Sequence, residues 1–106
     1  MIFLSYSWKN QAAAHRIDVL LRASGFEVWM DFRQLNPRKD ITQQLDFAIS
    51  QCSKFLAVRP VNRGVSPWMT AEFLMACRYC KPIFQFVVGL NEPTSLHHAR
   101  LLLSGR

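Results

Sequence analysis

Acidic residues are scarce in this chain. Seven Asp and Glu stand against 13 Lys and Arg in 106 residues, a net charge of +6. That balance favours polyanionic partners in general. The basic residues are scattered, however, and form no arm or run, and aromatic residues do not interleave with them as on a stacking platform. Nucleic acid is therefore not expected as a direct partner, whereas a phosphate-bearing small molecule suits the surface. Cysteine is also sparse. Cys52, Cys77 and Cys80 make an odd count, too few for a disulfide framework, so a reducing compartment is the simpler assumption. Cys77-Arg78-Tyr79-Cys80 matches a CxxC pattern, but Cys52, His15, His97 and His98 lack the ligand-like spacing that a zinc site needs. No metal and no resident cofactor are expected. No apolar run approaches the roughly 20 residues that span a bilayer, and Met1 to Ser5 carries no basic region ahead of its apolar stretch. A soluble cytoplasmic location without membrane contact follows. The sequence contains no repeat, low-complexity segment or linker. At 50% hydrophobic and 12% aromatic residues, positions 1–106 suit one compact domain.

The apolar pattern predicts alternating strands and helices. Ile2-Phe3-Leu4-Ser5-Tyr6 is a short apolar run suited to a buried strand. Asn10 is placed to cap a helix through about Ser24, with Ala13, Ile17, Leu20 and Leu21 on one stripe and Gly25 as its stop. Phe26 to Met30 predicts a second strand, and Asp31 to Lys39 a polar loop. Asp40 followed by Gln43 signals a second helix, with Ile41, Leu45, Ala48, Ile49 and Cys52 on its stripe. A third strand is expected at Phe55 to Val58, a loop at Arg59 to Val65, and a helix after Ser66-Pro67 that Lys81-Pro82 ends. Ile83 to Val88 predicts a fourth strand, Asn91 to Pro93 a turn, and Ser95 to Leu103 a short helix. Strands alternating with helices imply right-handed βαβ units. The expected architecture is thus a three-layer, doubly wound, flavodoxin-like parallel sheet of four to five strands with helices on both faces. Such sheets bind ligands at the carboxyl ends of their strands, near the point where strand order reverses.

That rule gathers distant residues. Ser5-Tyr6-Ser7-Trp8 at the end of the first strand, Asp31-Phe32-Arg33 after the second, and the segment leading to Trp68 and Glu72 after the third all share one edge. Glu72 is the only acidic residue between Asp46 and Glu92. Ser66 and Pro67 suit an N-cap and first helical position, and the spacing of four places Trp68 and Glu72 on one helix face. A carboxylate among Trp, Met, Phe and Leu is poorly hydrated and is costly to ionise unless a cation binds beside it. The alternative is a solvated glutamate or an ion-pair partner.

The same segments resemble a Toll/interleukin-1 receptor (TIR) domain of the bacterial type. Ile2 to Ser7 is similar to the opening strand motif, Gly25 to Asp31 to the second strand and start of the BB loop, and Ser66-Pro67-Trp68 with Glu72-Phe73 to the motif opening the third main helix. The resemblance implies an NAD+ glycohydrolase that releases nicotinamide with ADP-ribose or a cyclic ADP-ribose, Glu72 being the catalytic glutamate and Trp68 lying by the nicotinamide pocket. Nicotinamide is itself a cationic leaving group and needs no proton, so one carboxylate suffices for cleavage. Trp68 and Trp8 are candidates for stacking on nicotinamide or adenine, Arg33 for meeting a phosphate, and Ser7 and Asp31 for polar contacts at the substrate. Each has a structural alternative: Trp68 and Trp8 as core, Arg33 as a solvated charge, Asp31 as a hydrogen-bond acceptor for its loop.

Family members of this kind commonly act when TIR domains assemble through the BB loop, here Asp31 to Asp40. A homo-oligomer is therefore expected, with a sensor domain or partner subunit outside this sequence and a role in antiphage defence. Asn10, Arg38 and Arg59 depart from the family pattern. The chain is also expected to lack the family's last strand and helix or to be cut from a longer protein, and Leu101-Leu102-Leu103 is expected to mark an apolar helix face in want of a partner. The alternative function is a non-catalytic TIR–TIR interaction module, against which Glu72 argues. A receiver-like phosphate acceptor is a third possibility, but Ser5, Tyr6 and Arg59 stand where it would need magnesium-holding carboxylates.

Overall fold

Among the described residues four parallel strands build one sheet in the order β2-β1-β3-β4, with β1 at Ile2–Tyr6, β2 at Val28–Trp29, β3 at Lys54–Pro60 and β4 at Ile83–Val88. The structure is a computed structural model and describes residues 1–60 and 66–88, apart from the side chains of Trp8, Phe32, Arg33 and Pro60. Every residue of β1 is buried, which is the burial a central parallel strand needs when both sheet faces are covered. The strand order reverses between β1 and β3, as in a flavodoxin-like sheet. Register sets Ser5 beside Ala57 and Tyr6 beside Val58 at that boundary.

Successive residues of a strand face opposite sides, and the two cores follow that alternation. Ile2, Leu4 and Tyr6 of β1 join Ala13, Ala14, Ile17 and Leu21 of α1 (Gln11–Ala23) on one face. Phe3 joins Leu45, Ala48 and Ile49 of α3 (Ile41–Gln51) and Met69 and Ala76 of α4 (Pro67–Arg78) on the other. Stacked Trp29, Phe3 and Phe55 rings, with centroids 4.9 and 5.5 Å apart, carry this second core across three strands.

Helix boundaries follow the sequence signals where a cap can form. Asp40 accepts the Gln43 amide at 3.0 Å, and Ser66 accepts the Met69 amide at 3.1 Å. Each such cap contributes about 1 kcal/mol. Gly25 has φ +96° at the end of α1, where a β-carbon would be strained.

Four expectations change. Asn10 stands at the N-cap of α1, but its φ and ψ of −109° and 20° turn the side chain away from the helix amides, and Nδ2 donates to Ser7 Oγ at 3.2 Å. β2 is shorter than Phe26 to Met30, because the Phe26 amide is committed to Leu21 O in the turn that ends α1. Asp31–Gln34 forms a helical turn, α2, where a loop was expected. Gln34 closes it by accepting the Met30 amide through Oε1 at 2.9 Å, a local side-chain bond that carries no periodic signature. Ile41 is exposed and stands off the apolar stripe of α3. The loop at 61–65 and the turn and helix expected after Val88 lie outside the described residues.

Candidate functional site

β1 ends in two hydroxyls that point to opposite faces of the sheet, and each holds a carboxyl. On the α3/α4 face, Ser5 Oγ donates to Glu72 Oε1 at 2.6 Å. On the other face, the Tyr6 hydroxyl donates to Asp31 Oδ1 at 2.8 Å. Glu72 is brought there by the local fold of α4: the Ser66 cap and Pro67 start the helix, and its period turns Met69, Glu72 and Ala76 inward onto β1 and β3. Asp31 arrives from the first position of α2. Both acids thus stand at the carboxyl end of β1, next to the reversal of strand order.

The environment of Glu72 is apolar. The residue is 2% exposed, and burial pushes its carboxyl up from 4.5 to about 8. The negative charge of Asp31 adds to the rise, while hydrogen bonds from Ser5 and from the Trp68 side chain oppose it. Among the described residues no cation contributes. Burial thus favours the protonated carboxylic acid over an ion-pair role for Glu72.

Trp68 lies one helical turn before Glu72 and is 42% exposed, so part of its ring is open to contact from outside. This excludes the plain-core alternative for Trp68. Ser7 is half-buried and accepts the Asn10 amide. Trp8 opens the 3-10 turn Trp8–Asn10, and Arg33 lies within α2; their side chains are outside the described residues. The fold therefore brings Glu72, Asp31 and Trp68 together and carries the backbones of Ser7, Trp8 and Arg33 to the same sheet edge. Sequence reasoning placed Ser5 and Tyr6 at this edge without roles. Period-two alternation along β1 was the signal that could have assigned them to opposite faces.

A groove of about 590 Å³ lies elsewhere, between Gln43 and Asp46 of α3 and Leu74, Met75 and Arg78 of α4. Its charges are mutually satisfied, since Asp46 binds Arg78 at 2.7 Å and accepts the Tyr79 hydroxyl at 2.8 Å. It has no unpaired acid, and Glu72 faces away from it into the sheet. Among the described residues no three His, Cys, Asp or Glu side chains gather in a metal-binding arrangement, and no helix is long and apolar enough to cross a membrane.

Comparison with known proteins adds two findings. The TIR domain family matches residues 2–102. The structure of the Clostridium botulinum CMP N-glycosidase BcmB resembles this fold with a TM-score of 0.61 at 24% sequence identity, over 95% of this chain and 80% of that one. Among curated proteins none matches.

Proposed function

The chain belongs to the TIR domain family, and we propose that it hydrolyses NAD+ at the nicotinamide–ribose bond with Glu72 as the catalytic carboxyl. The observation that carries this reading is the placement of Glu72: a buried acid with no cation beside it among the described residues, at the carboxyl end of the strand where sheet order reverses. A site of that kind lacks a positive charge and supplies a place for one.

The chemistry follows from the bond. A pyridinium ring is already a good leaving group, so no proton donor is required. As the C1′–N bond lengthens, positive charge passes to the ribose, and an ionised carboxylate in a weakly hydrated site stabilises it. Burial favours the protonated form of Glu72, and the cationic ring beside it favours ionisation, the carboxyl proton passing to solvent. Binding of the correct substrate thus charges the catalytic group. Trp68, one turn away and exposed, offers a face for the nicotinamide. Arg33 is assigned to a phosphate, Ser7 and Asp31 to polar contacts, and Trp8 to stacking. The name of BcmB, an N-glycosidase acting on a nucleotide, supports the class of bond.

The segment Asn36 to Asp40 is exposed throughout and carries Arg38 and Lys39, which suits contact with a neighbouring TIR domain. Assembly through residues 31–40 is accordingly proposed to complete the pocket, with the sensor on another segment or subunit and antiphage defence as the setting. The test is incubation of the full chain with NAD+, free and artificially clustered, following nicotinamide release. Release on clustering is expected. No release in either state makes the chain a binding module.

A further inference from the structure

The paired carboxyls support a step beyond pyridinium cleavage, one that rests on the N-glycosidase reading above. Ser5 and Tyr6 are consecutive, so their side chains leave β1 on opposite faces, and the acids they hold come from different helices, Glu72 from α4 and Asp31 from α2. The two acids differ in surroundings. Glu72, on the inner face of α4, is 2% exposed, whereas Asp31 is only half-buried. Carboxyls whose environments differ in this way divide into a proton donor and a proton acceptor.

We propose that the site has a second, acid-assisted mode of N-glycosidic cleavage, acting on nucleotides with an uncharged base, in which Glu72 donates a proton to the departing base and Asp31 accepts one from water. An uncharged base would leave as an anion unless protonated, which is the requirement a pyridinium escapes. In this mode the Glu72 carboxyl O–H gives its proton to a ring nitrogen or carbonyl oxygen of the base. The C1′–N bond breaks, and its electron pair departs with the base. Water oxygen bonds to C1′, and its proton passes to Asp31. The products are the free base and ribose 5-phosphate. Proton exchange with solvent then restores both carboxyls to their starting states.

The two modes use Glu72 in opposite protonation states, so their pH dependence runs in opposite directions. Pyridinium cleavage needs the carboxylate and rises with pH, whereas uncharged-base cleavage needs the acid and falls. The groups acting on Glu72 from the elements packed around it are Ser5 of β1, Trp68 of α4 and Asp31 of α2.

The experiment incubates the full chain, under one assembly condition, with NAD+ and separately with the 5′-monophosphates of adenosine, guanosine, cytidine and uridine, from about pH 5 to about pH 10. Nicotinamide and free base are followed by chromatography for wild type, Asp31→Asn and Glu72→Gln, with melting temperatures as the check on folding. At least one monophosphate is expected to release its base, with kcat/KM falling over the range where that for NAD+ rises. Asp31→Asn should lower base release about 100-fold or more relative to nicotinamide release. Nicotinamide release with no base from any monophosphate overturns the inference and leaves the NAD+ reading. So do parallel pH profiles, or equal losses in Asp31→Asn. Base release without nicotinamide release supports the inference and overturns the NAD+ reading, and absence of both overturns both.

Discussion

Ser5 on β1 and Glu72 on α4, 67 positions apart in sequence, are joined by a 2.6 Å hydrogen bond in which the serine hydroxyl donates. The bond holds the buried acid at the rim of the sheet and supplies one of the donors that favour its anion. Removing it should have two effects. Ser5→Ala leaves the carboxyl less satisfied, lowering stability by about 1–3 kcal/mol. It also moves the rising limb of the pH profile for nicotinamide release to higher pH. Unchanged melting together with an unchanged profile would show that the bond has no role.

Glu72 makes stability depend on pH. Folding raises its pKa from 4.5 to about 8, so the folded chain binds this proton more tightly than the unfolded one. The stabilisation is fully present below about pH 4.5 and is lost as pH rises to about 8, on the order of 4 kcal/mol in all. Glu72→Gln keeps the shape but cannot ionise, so it should gain stability relative to wild type as pH rises through this window. Urea unfolding of both proteins at several pH values measures the difference. Parallel curves would mean that Glu72 ionises freely in the folded state.

Trp68 separates stacking from hydrogen bonding. Its exposure of 42% means that Trp68→Ala loses little packing but does remove a donor from Glu72, so it should cost about 1 kcal/mol of stability. The variant should nevertheless raise KM for NAD+ about tenfold or more, because stacking on a base contributes about 1–3 kcal/mol. Trp68→Phe keeps a ring but lacks the indole donor, so it should retain most of the affinity while shifting the pH profile upward. An unchanged KM in Trp68→Ala would remove the residue from the binding site.

Cap chemistry and apolar period carried much of this architecture in the sequence. Asp40, Ser66 and Gly25 each act through neighbouring backbone groups, so their signals survive without tertiary information. Phe26 and Gln34 misled because side chains and turn amides a few positions away redirected their bonding. The site was legible as a sheet edge, since the carboxyl ends of β1, β2 and β3 must emerge together. Its wiring was not. The Ser5–Glu72 and Tyr6–Asp31 bonds depend on strand register and on the rotation of α4 about its axis, which local sequence leaves open. The state of Glu72 depends on burial by residues remote in the chain.

The most direct measurement compares nicotinamide release from NAD+ by assembled wild type and assembled Glu72→Gln, with both proteins shown to be folded by their melting curves. The account predicts a fall of at least about 100-fold in kcat for the variant. Equal rates in the two folded proteins would contradict it.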